Sequence, residues 1–308
     1  MSLPSFISDL GFEVGQFVNE QTEAYAGGAD VAFPLIASEG GKEPLQALME
    51  GLDMGSDHDV FREGSWRIPG LYLHDWPDRY IHTNFDTAAM IDPTKLKRSA
   101  FIGAVNAIVL ANLSERDVPA ILALLKRNAL QRSAELIERL KSLGAADAAA
   151  VARIHFSVER RKVHSIEPFA PLAEPLHDAA AGFIAELEAL VATPEALHTE
   201  TDDTVYVRNP AVPGPMSAFG YSYLEDKYGA EKQAQLRLTQ YAGTHGSGGE
   251  YAYEALNLVD GKRTVSEIRN WLTAELGPVP LDIVREYLEA LRSIDVLRLK
   301  VAEAERPQ

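Results

Sequence analysis

The run Ile68 to Leu73, IPGLYL, places the strongest restriction on the folds that this chain can adopt. A compact apolar run between turn residues is typical of a buried strand. A strand buried on both faces needs neighbouring strands and covering helices. Helical periodicity precedes it up to about Tyr25, and a second helix is predicted from Pro93 to about Leu113. With a short β-prone piece at Val31 to Ile36, this order predicts an α/β domain with a mixed or parallel sheet over residues 1–114.

The middle of the chain has a different character. From Asp117 to about Val191 the sequence predicts long amphipathic helices, rich in Ala, Leu, Glu and Arg, packed as antiparallel hairpins. An irregular stretch with Pro and Gly follows, and we expect it to be ordered because apolar anchors recur in it: Tyr206, Met216, Phe219, Tyr221 and Tyr223. Residues 115–248 are therefore predicted to be a helical appendage with a long irregular loop.

The last sixty residues predict a small unit of their own. A helix around Tyr251 to Val259 is followed by Thr264 and Glu267, which are spaced as a capping box for a second helix. A third helix is predicted at Leu281 to Ile294, and the alternating VLRLK segment predicts a terminal strand. Three helices and a strand indicate a winged-helix-like module at residues 249–308.

Composition restricts the classes of partner. The net charge of −16 repels phosphates and anionic lipids, so we expect neither a nucleic-acid nor a membrane partner. No run approaches the roughly 18 to 20 apolar residues of a membrane span, and MSLPSFISDL lacks the pattern of a secretory signal. Cysteine is absent, which excludes disulfides and thiolate metal sites but leaves carboxylate and imidazole sites open.

The segment Gly55 to Thr87 concentrates potential metal ligands. It holds three of the eight histidines, five aspartates and two tryptophans. His82 lies a few residues past the end of the predicted strand, the edge of an α/β sheet where ligands usually bind. Several side chains close in sequence could converge there: Asp57, His58, Asp75, Asp78 and Asp86. Spacing alone leaves open whether His82 is a ligand or a structural histidine.

The motifs GSDHDVF, IPGLYL, WPDRYIHTNFDT and IDPTKLKRSAFIGA occur here in one order and spacing. Together they resemble the last part of the catalytic domain of the co-catalytic zinc aminopeptidases, a family that includes bacterial leucine-type aminopeptidases and, more distantly, glutaminyl cyclases. The resemblance implies a mixed-sheet, three-layer zinc-exopeptidase fold. It also implies two zinc ions, a peptide substrate hydrolysed by metal-activated water, and a periplasmic or secreted location.

The resemblance implies roles for individual residues of the segment. His82, in YIHT, matches the family's final zinc ligand. Thr83 and Asp86 match residues that shape the loop around it, and Asp86 is expected to fix the loop or orient the imidazole. A neighbouring motif is expected to line the site as structural residues: Ser56, Asp57 and His58.

The other ligands that the resemblance requires are missing from this sequence. Only 54 residues precede Gly55; none is a histidine, and no Glu-Glu pair occurs among them. A two-zinc hydrolase needs about five protein ligands and a general base, so this chain holds at most a partial site and no catalytic residue. We therefore expect an inactive C-terminal portion of such a peptidase, completed by a missing N-terminal portion or by a homo-oligomer.

Two further hypotheses remain open. The chain could instead be a non-catalytic binding or structural protein derived from the same fold. DNA binding by the terminal module is a distant third, because Gly261 to Lys300 carries seven Lys or Arg against six Asp or Glu. The histidines of RIHFSVERRKVH, His155 and His164, are predicted to lie on a solvated helix face.

Overall fold

The computed structural model describes residues 2–45, 47–49, 51–191 and 200–300. The described part of the chain is mostly helical, with 54% of its residues in helices and only small two-stranded sheets. The longer helices are α1 (Phe6–Ala26), α3 (Pro93–Asn112), α4 (Val118–Leu140), α5 (Ala145–His164), α6 (Glu174–Leu190), α9 (Gly248–Asn257), α10 (Val265–Leu276) and α11 (Leu281–Ser293). The short helices are α2 (His58–Arg62), α7 (Tyr223–Tyr228) and α8 (Ala230–Gln233), and the strands are β1 (Tyr206–Arg208), β2 (Ser217–Ala218), β3 (Tyr221–Ser222) and β4 (Leu297–Leu299).

Helices α1 and α3 pack together, and each begins at a capping residue. The Ser5 hydroxyl accepts a hydrogen bond from the backbone N–H of Ile7 at the start of α1. At the start of α3, Pro93 occupies the first turn and the Asp92 carboxylate accepts from two backbone N–H groups. The apolar faces of the two helices meet around a small buried cluster made by Leu10, Val14, Val18, Leu35 and Ile102.

The predicted strand at Ile68–Leu73 is wrong. This segment has no regular secondary structure and pairs with no strand in the described ranges, and Val31–Ile36 is not a strand either. Leu71 packs against α1, so close to Gly11 that a Cβ there would be 2.6 Å from the Leu71 methyl groups. Both observed sheets are antiparallel pairs, so the mixed sheet predicted for residues 1–114 is not present in the described part.

Helices α4, α5 and α6 contact one another in pairs, and α4 also contacts α1. A buried charged network lies where α1, α4 and α5 meet. The Asp9 carboxylate accepts hydrogen bonds from Lys162 at 2.8 Å and from Arg132 at 2.5 Å, and Arg132 also donates to Glu159 at 2.8 and 2.7 Å. The two carboxylates and the two cationic side chains therefore give this network no net charge. Asp9, at its centre, is only 2% exposed.

His155 of α5 lies beside this network, so the predicted solvated position is wrong for it. Its side chain is 16% exposed, and its Nε2 lies 3.4 Å from the Ser133 hydroxyl of α4. His164, the last residue of α5, is exposed as predicted and contacts Glu167. The sequence pattern missed the difference because α5 is covered on more than one side, by α4, α6 and α10.

The predicted elements of the terminal region are confirmed in type and position. Thr264 and Glu267 form the capping box of α10, and a second capping box, Ser247 with Glu250, starts α9. The terminal strand β4 pairs antiparallel with β1, with Tyr206 opposite Leu299. A large apolar cluster joins α9, α10 and α11 to β1 and to residues of the preceding loop.

The long loop before α9 is only partly anchored as predicted. Tyr206 and Met216 are buried in the apolar cluster, and Tyr223 packs against it. Phe219 and Tyr221, in contrast, are mostly exposed, so the prediction that they anchor the loop is wrong. Phe219 lies in the tight turn between β2 and β3, and Tyr221 is the first residue of β3.

Candidate functional site

His82 lies in a tight, exposed turn. The turn is held by Thr83, whose hydroxyl and backbone N–H both donate to the carbonyl of Tyr80, at 2.6 and 3.1 Å. The backbone of His82 is in the left-handed region, with φ of 61°, and its imidazole makes no hydrogen bond or ion pair with any described residue. The turn therefore presents a single free imidazole to solvent.

Asp86 closes the same turn through its backbone. Its N–H donates to the carbonyl of Thr83 at 3.2 Å, and the Thr83 hydroxyl accepts from the N–H of Phe85. The Asp86 carboxylate makes no hydrogen bond to His82 in the structure. Thr83 thus shapes the loop, while the carboxylate of Asp86 stays exposed beside it.

The Ser56-Asp57-His58 motif forms the start of α2, and none of the described contacts joins it to His82. His58 does not point to solvent: its Nε2 lies 2.7 Å from the carbonyl oxygen of Asp53 and 3.3 Å from Asp59. Its ring stacks on Tyr72 at 4.1 Å, and Tyr72 in turn stacks on His74 at 4.7 Å. His58 is therefore a packed histidine rather than a free ligand.

The sequence did not predict the ring stack of His58, Tyr72 and His74. His74 completes it by contacting the Asp53 carboxylate through Nε2 at 3.1 Å. Asp53 thus contacts both imidazoles: its backbone carbonyl contacts His58, and its carboxylate contacts His74. The spacing of these residues carries no helical or strand period, so only the folded loop brings them together.

Helix α9 and strand β1 fix the segment that follows α2. Tyr253 of α9 donates from its hydroxyl to the carbonyl of Asp59 at 2.7 Å, and Asn257 accepts from the N–H of Gly64 at 2.9 Å. Arg208 of β1 forms an ion pair with Glu63, whose side chain is fully buried. The terminal region therefore positions the Ser56-Asp57-His58 motif, a role that sequence analysis did not assign to it.

Replacing Tyr253 by Phe is expected to loosen α2 while leaving the terminal helices folded. The change removes one buried neutral hydrogen bond, worth about 1 kcal/mol, and leaves the carbonyl of Asp59 without this donor. Amide hydrogen exchange should accelerate in residues 57–64 and stay slow in α10 and α11. Tyr228→Phe, at a partly buried tyrosine hydroxyl outside this contact, is the control and should leave exchange in α2 unchanged.

Apolar side chains are unusually exposed around His82. Trp76 is 66% exposed and Phe85 is 63% exposed, and the segment also exposes Trp66, Ile68, Tyr72, Leu73, Ile81, Met90 and Ile91. The adjoining helix α3 exposes Leu96 and Ile108. Large groups of exposed apolar residues on a folded protein mark interaction sites more often than solvated surface.

The described residues do not by themselves fit the two zinc ions that the family resemblance implies. Across the described ranges, no group of three or more His, Asp or Glu side chains is arranged so as to hold a metal ion. His82 stands apart from the two imidazoles of the packed stack, which face Asp53. No catalytic step through zinc is therefore assigned to this chain alone.

Comparisons with known proteins leave the chain without an assigned relative. No protein-family model matches the sequence, and neither the curated proteins nor the solved structures contain a match. Among the described helices, none combines the length and apolar character needed to cross a bilayer. The site must therefore be interpreted from its own chemistry.

Proposed function

We propose that this chain is a catalytically silent component of an enzyme of the co-catalytic zinc aminopeptidase type, with His82 as its one metal ligand. The observation that carries the proposal is the pairing of an unbonded imidazole with the exposed apolar side chains on both sides of it, Ile81 and Phe85. A ligand of a finished site is normally oriented by a second group and shielded from water. Here both features are missing from the described residues.

A covering polypeptide would supply what the turn lacks. Burial of the apolar side chains of residues 66–91 gives the favourable free energy for docking, at roughly 25 cal/mol for each Å² removed from water. The covering segment would bring the remaining zinc ligands and the general base, and in the family these lie in H-x-D and E-E motifs. The peptide substrate and the three-layer sheet belong to the completed assembly.

The purified chain is expected to show no aminopeptidase turnover with added zinc. Coexpression with a polypeptide that carries H-x-D and E-E motifs, sought first in the reading frame adjoining the gene, is expected to give a stable complex and hydrolysis of an aminoacyl amide. His82→Ala should abolish that hydrolysis while the complex still forms. His245→Ala, at an exposed histidine far along the chain, is the matched control and should retain full activity.

Two results would contradict the proposal. Turnover by the chain alone would mean that it contains a complete site, and unchanged turnover by the His82→Ala complex would mean that His82 is not a ligand. A complex that forms but never hydrolyses peptides would favour the second candidate, a non-catalytic binding protein. That candidate is favoured by one specific observation, namely that no described carboxylate or imidazole joins His82.

The charges on α11 do not favour DNA binding. Its outward arginines are already neutralised: Arg285 pairs with Glu200 and Asp202, and Arg292 pairs with Glu289. Asp282 and Glu286 on the same helix bind Arg237. A helix that reads a DNA groove normally presents free basic side chains, so binding would first have to break these pairs.

A further inference from the structure

Two arginines converge on one tryptophan where α5 meets α10. The Arg161 guanidinium carbon lies 5.2 Å from the ring centroid of Trp271, and that of Arg263 lies 4.8 Å from it. Trp271 is only 6% exposed, so its ring is held in place by the packing of the two helices. Each guanidinium therefore rests on a fixed aromatic surface, a favourable cation–π arrangement.

Arg67 is the third positive charge at this place. Burial, reinforced by repulsion from Arg67, lowers the pKa of Arg161, while Asp260 opposes them. Burial and the same two arginines lower the pKa of Arg263, with Asp260 and Glu267 acting in the opposite direction. Three guanidiniums thus lie within electrostatic reach of one another in a chain whose net charge is −16.

The acceptors at this place do not satisfy the three guanidiniums. Asp260 pairs with Arg263 at 2.9 Å, and its carboxylate also accepts the backbone N–H groups of Lys262 and Arg263. Arg67 makes a single 3.3 Å hydrogen bond to the carbonyl of Ser2. Arg161, partly buried, makes no hydrogen bond or ion pair with its guanidinium in the described ranges.

We propose that Arg67 and Arg161, supported by Trp271 and Arg263, bind an oxyanion of the phosphate or carboxylate type. A guanidinium presents parallel N–H donors that match two oxygens of either group, and such charge-assisted bonds are the stronger class. The ligand would offset the mutual repulsion of the cluster, in which three guanidiniums face the carboxylates of Asp260 and Glu267. This site is separate from the His82 turn and does not depend on the proposed peptidase function.

Titration of the full chain tests the proposal with inorganic phosphate and with acetate as separate probes. Isothermal calorimetry at constant ionic strength, with chloride as the balancing anion, is expected to show saturable binding of at least one probe. Arg161→Gln should weaken that binding by about tenfold or more, the loss expected for one charge-assisted contact. Arg153→Gln, an exposed arginine on the same helix, is the matched control and should bind as the wild type does.

A second variant, outside the helices, separates the loss of anion binding from any change in the packing of α5 against α10. Arg67→Gln lies at an exposed loop position, so it should fold normally and still weaken binding by a similar factor. The Tm of the wild type should rise with the bound probe, and that of both variants should rise less. Phosphate binding without acetate binding would identify the ligand as a phosphate, and the reverse a carboxylate. Absence of saturable binding by either probe, or equal affinity in Arg161→Gln and the wild type, would overturn the proposal.

Discussion

Asp9→Asn is expected to lower the free energy of unfolding by about 3 to 5 kcal/mol, the usual cost of breaking a buried ion pair from one side. The carboxylate of Asp9 is fully buried and accepts from Lys162, whose side chain is 5% exposed. With the amide in its place, the ammonium group stays buried without a negative partner. Urea unfolding at neutral pH, followed by circular dichroism, measures the change.

The control for this prediction lies one turn along α1. Glu13 pairs with Arg127 at the surface, where both side chains are about half exposed. Glu13→Gln should therefore cost no more than about 1 kcal/mol, as exposed pairs do. Equal destabilisation by both substitutions would show that the buried network contributes nothing beyond a surface ion pair.

Asp9 also makes part of this stability depend on pH. Burial tends to raise the pKa of Asp9, but Lys162 and Arg132 outweigh it and hold the pKa below its usual range. A carboxyl group with a lowered pKa stabilises the fold above its unfolded pKa, about 4, and loses that contribution as the pH falls through the folded value. The difference between the wild type and Asp9→Asn should therefore shrink in acid.

His155 is expected to make the protein sensitive to mild acid. Burial, opposed by Glu159 and reinforced by Arg132, lowers the pKa of His155 to about 4. In the unfolded chain the imidazole of His155 becomes protonated near pH 6.5, whereas in the folded chain it becomes protonated only near pH 4. Stability from this group is complete above pH 6.5 and falls as the pH drops toward 4, by on the order of 2 to 3 kcal/mol.

His155→Gln isolates this contribution, because glutamine keeps a polar group near Ser133 but does not titrate. Urea midpoints measured from pH 7 to pH 4 should fall less steeply in the variant than in the wild type. His164→Gln, at the exposed end of the same helix, should leave the slope unchanged. Parallel slopes for the wild type and His155→Gln would rule out the buried histidine as the source of acid sensitivity.

The terminal region was predictable because its signals are local. Thr264 and Glu267 exchange two hydrogen bonds three residues apart, and that spacing can be read directly from the sequence. Pro93 likewise marked the start of α3. Such signals act within one turn of helix, so they hold whatever the rest of the chain does.

The error at Ile68–Leu73 has the opposite cause. Apolar character can make a segment compatible with a strand, but a strand exists only when another extended segment donates and accepts its backbone hydrogen bonds. The described residues provide no such neighbour, and Ile68 and Leu73 are exposed. Pairing between distant segments is not encoded in the run itself.

The candidate site shows the same division. The turn around His82 depends on Tyr80, Thr83 and Asp86, all within seven residues, and the sequence indicated a shaped loop there. The ion pair of Glu63 with Arg208 joins residues 145 positions apart in the chain. No local sequence pattern around either residue predicts it. Contacts of this kind explain why the support of α2 by the terminal region could not be foreseen.

The hydrogen bonds of Ser2 have a consequence for biosynthesis. Its N–H and hydroxyl both donate to Glu254, and the N–H of Phe6 donates to Ser165. At about 5 to 20 residues per second, a ribosome needs on the order of ten to fifty seconds to make the 252 residues between Ser2 and Glu254. The apolar face of α1 emerges before α3 and α4, the helices that cover it, and the contact of Ser2 with Glu254 forms later still. Chaperone contact with the nascent chain is therefore expected at α1.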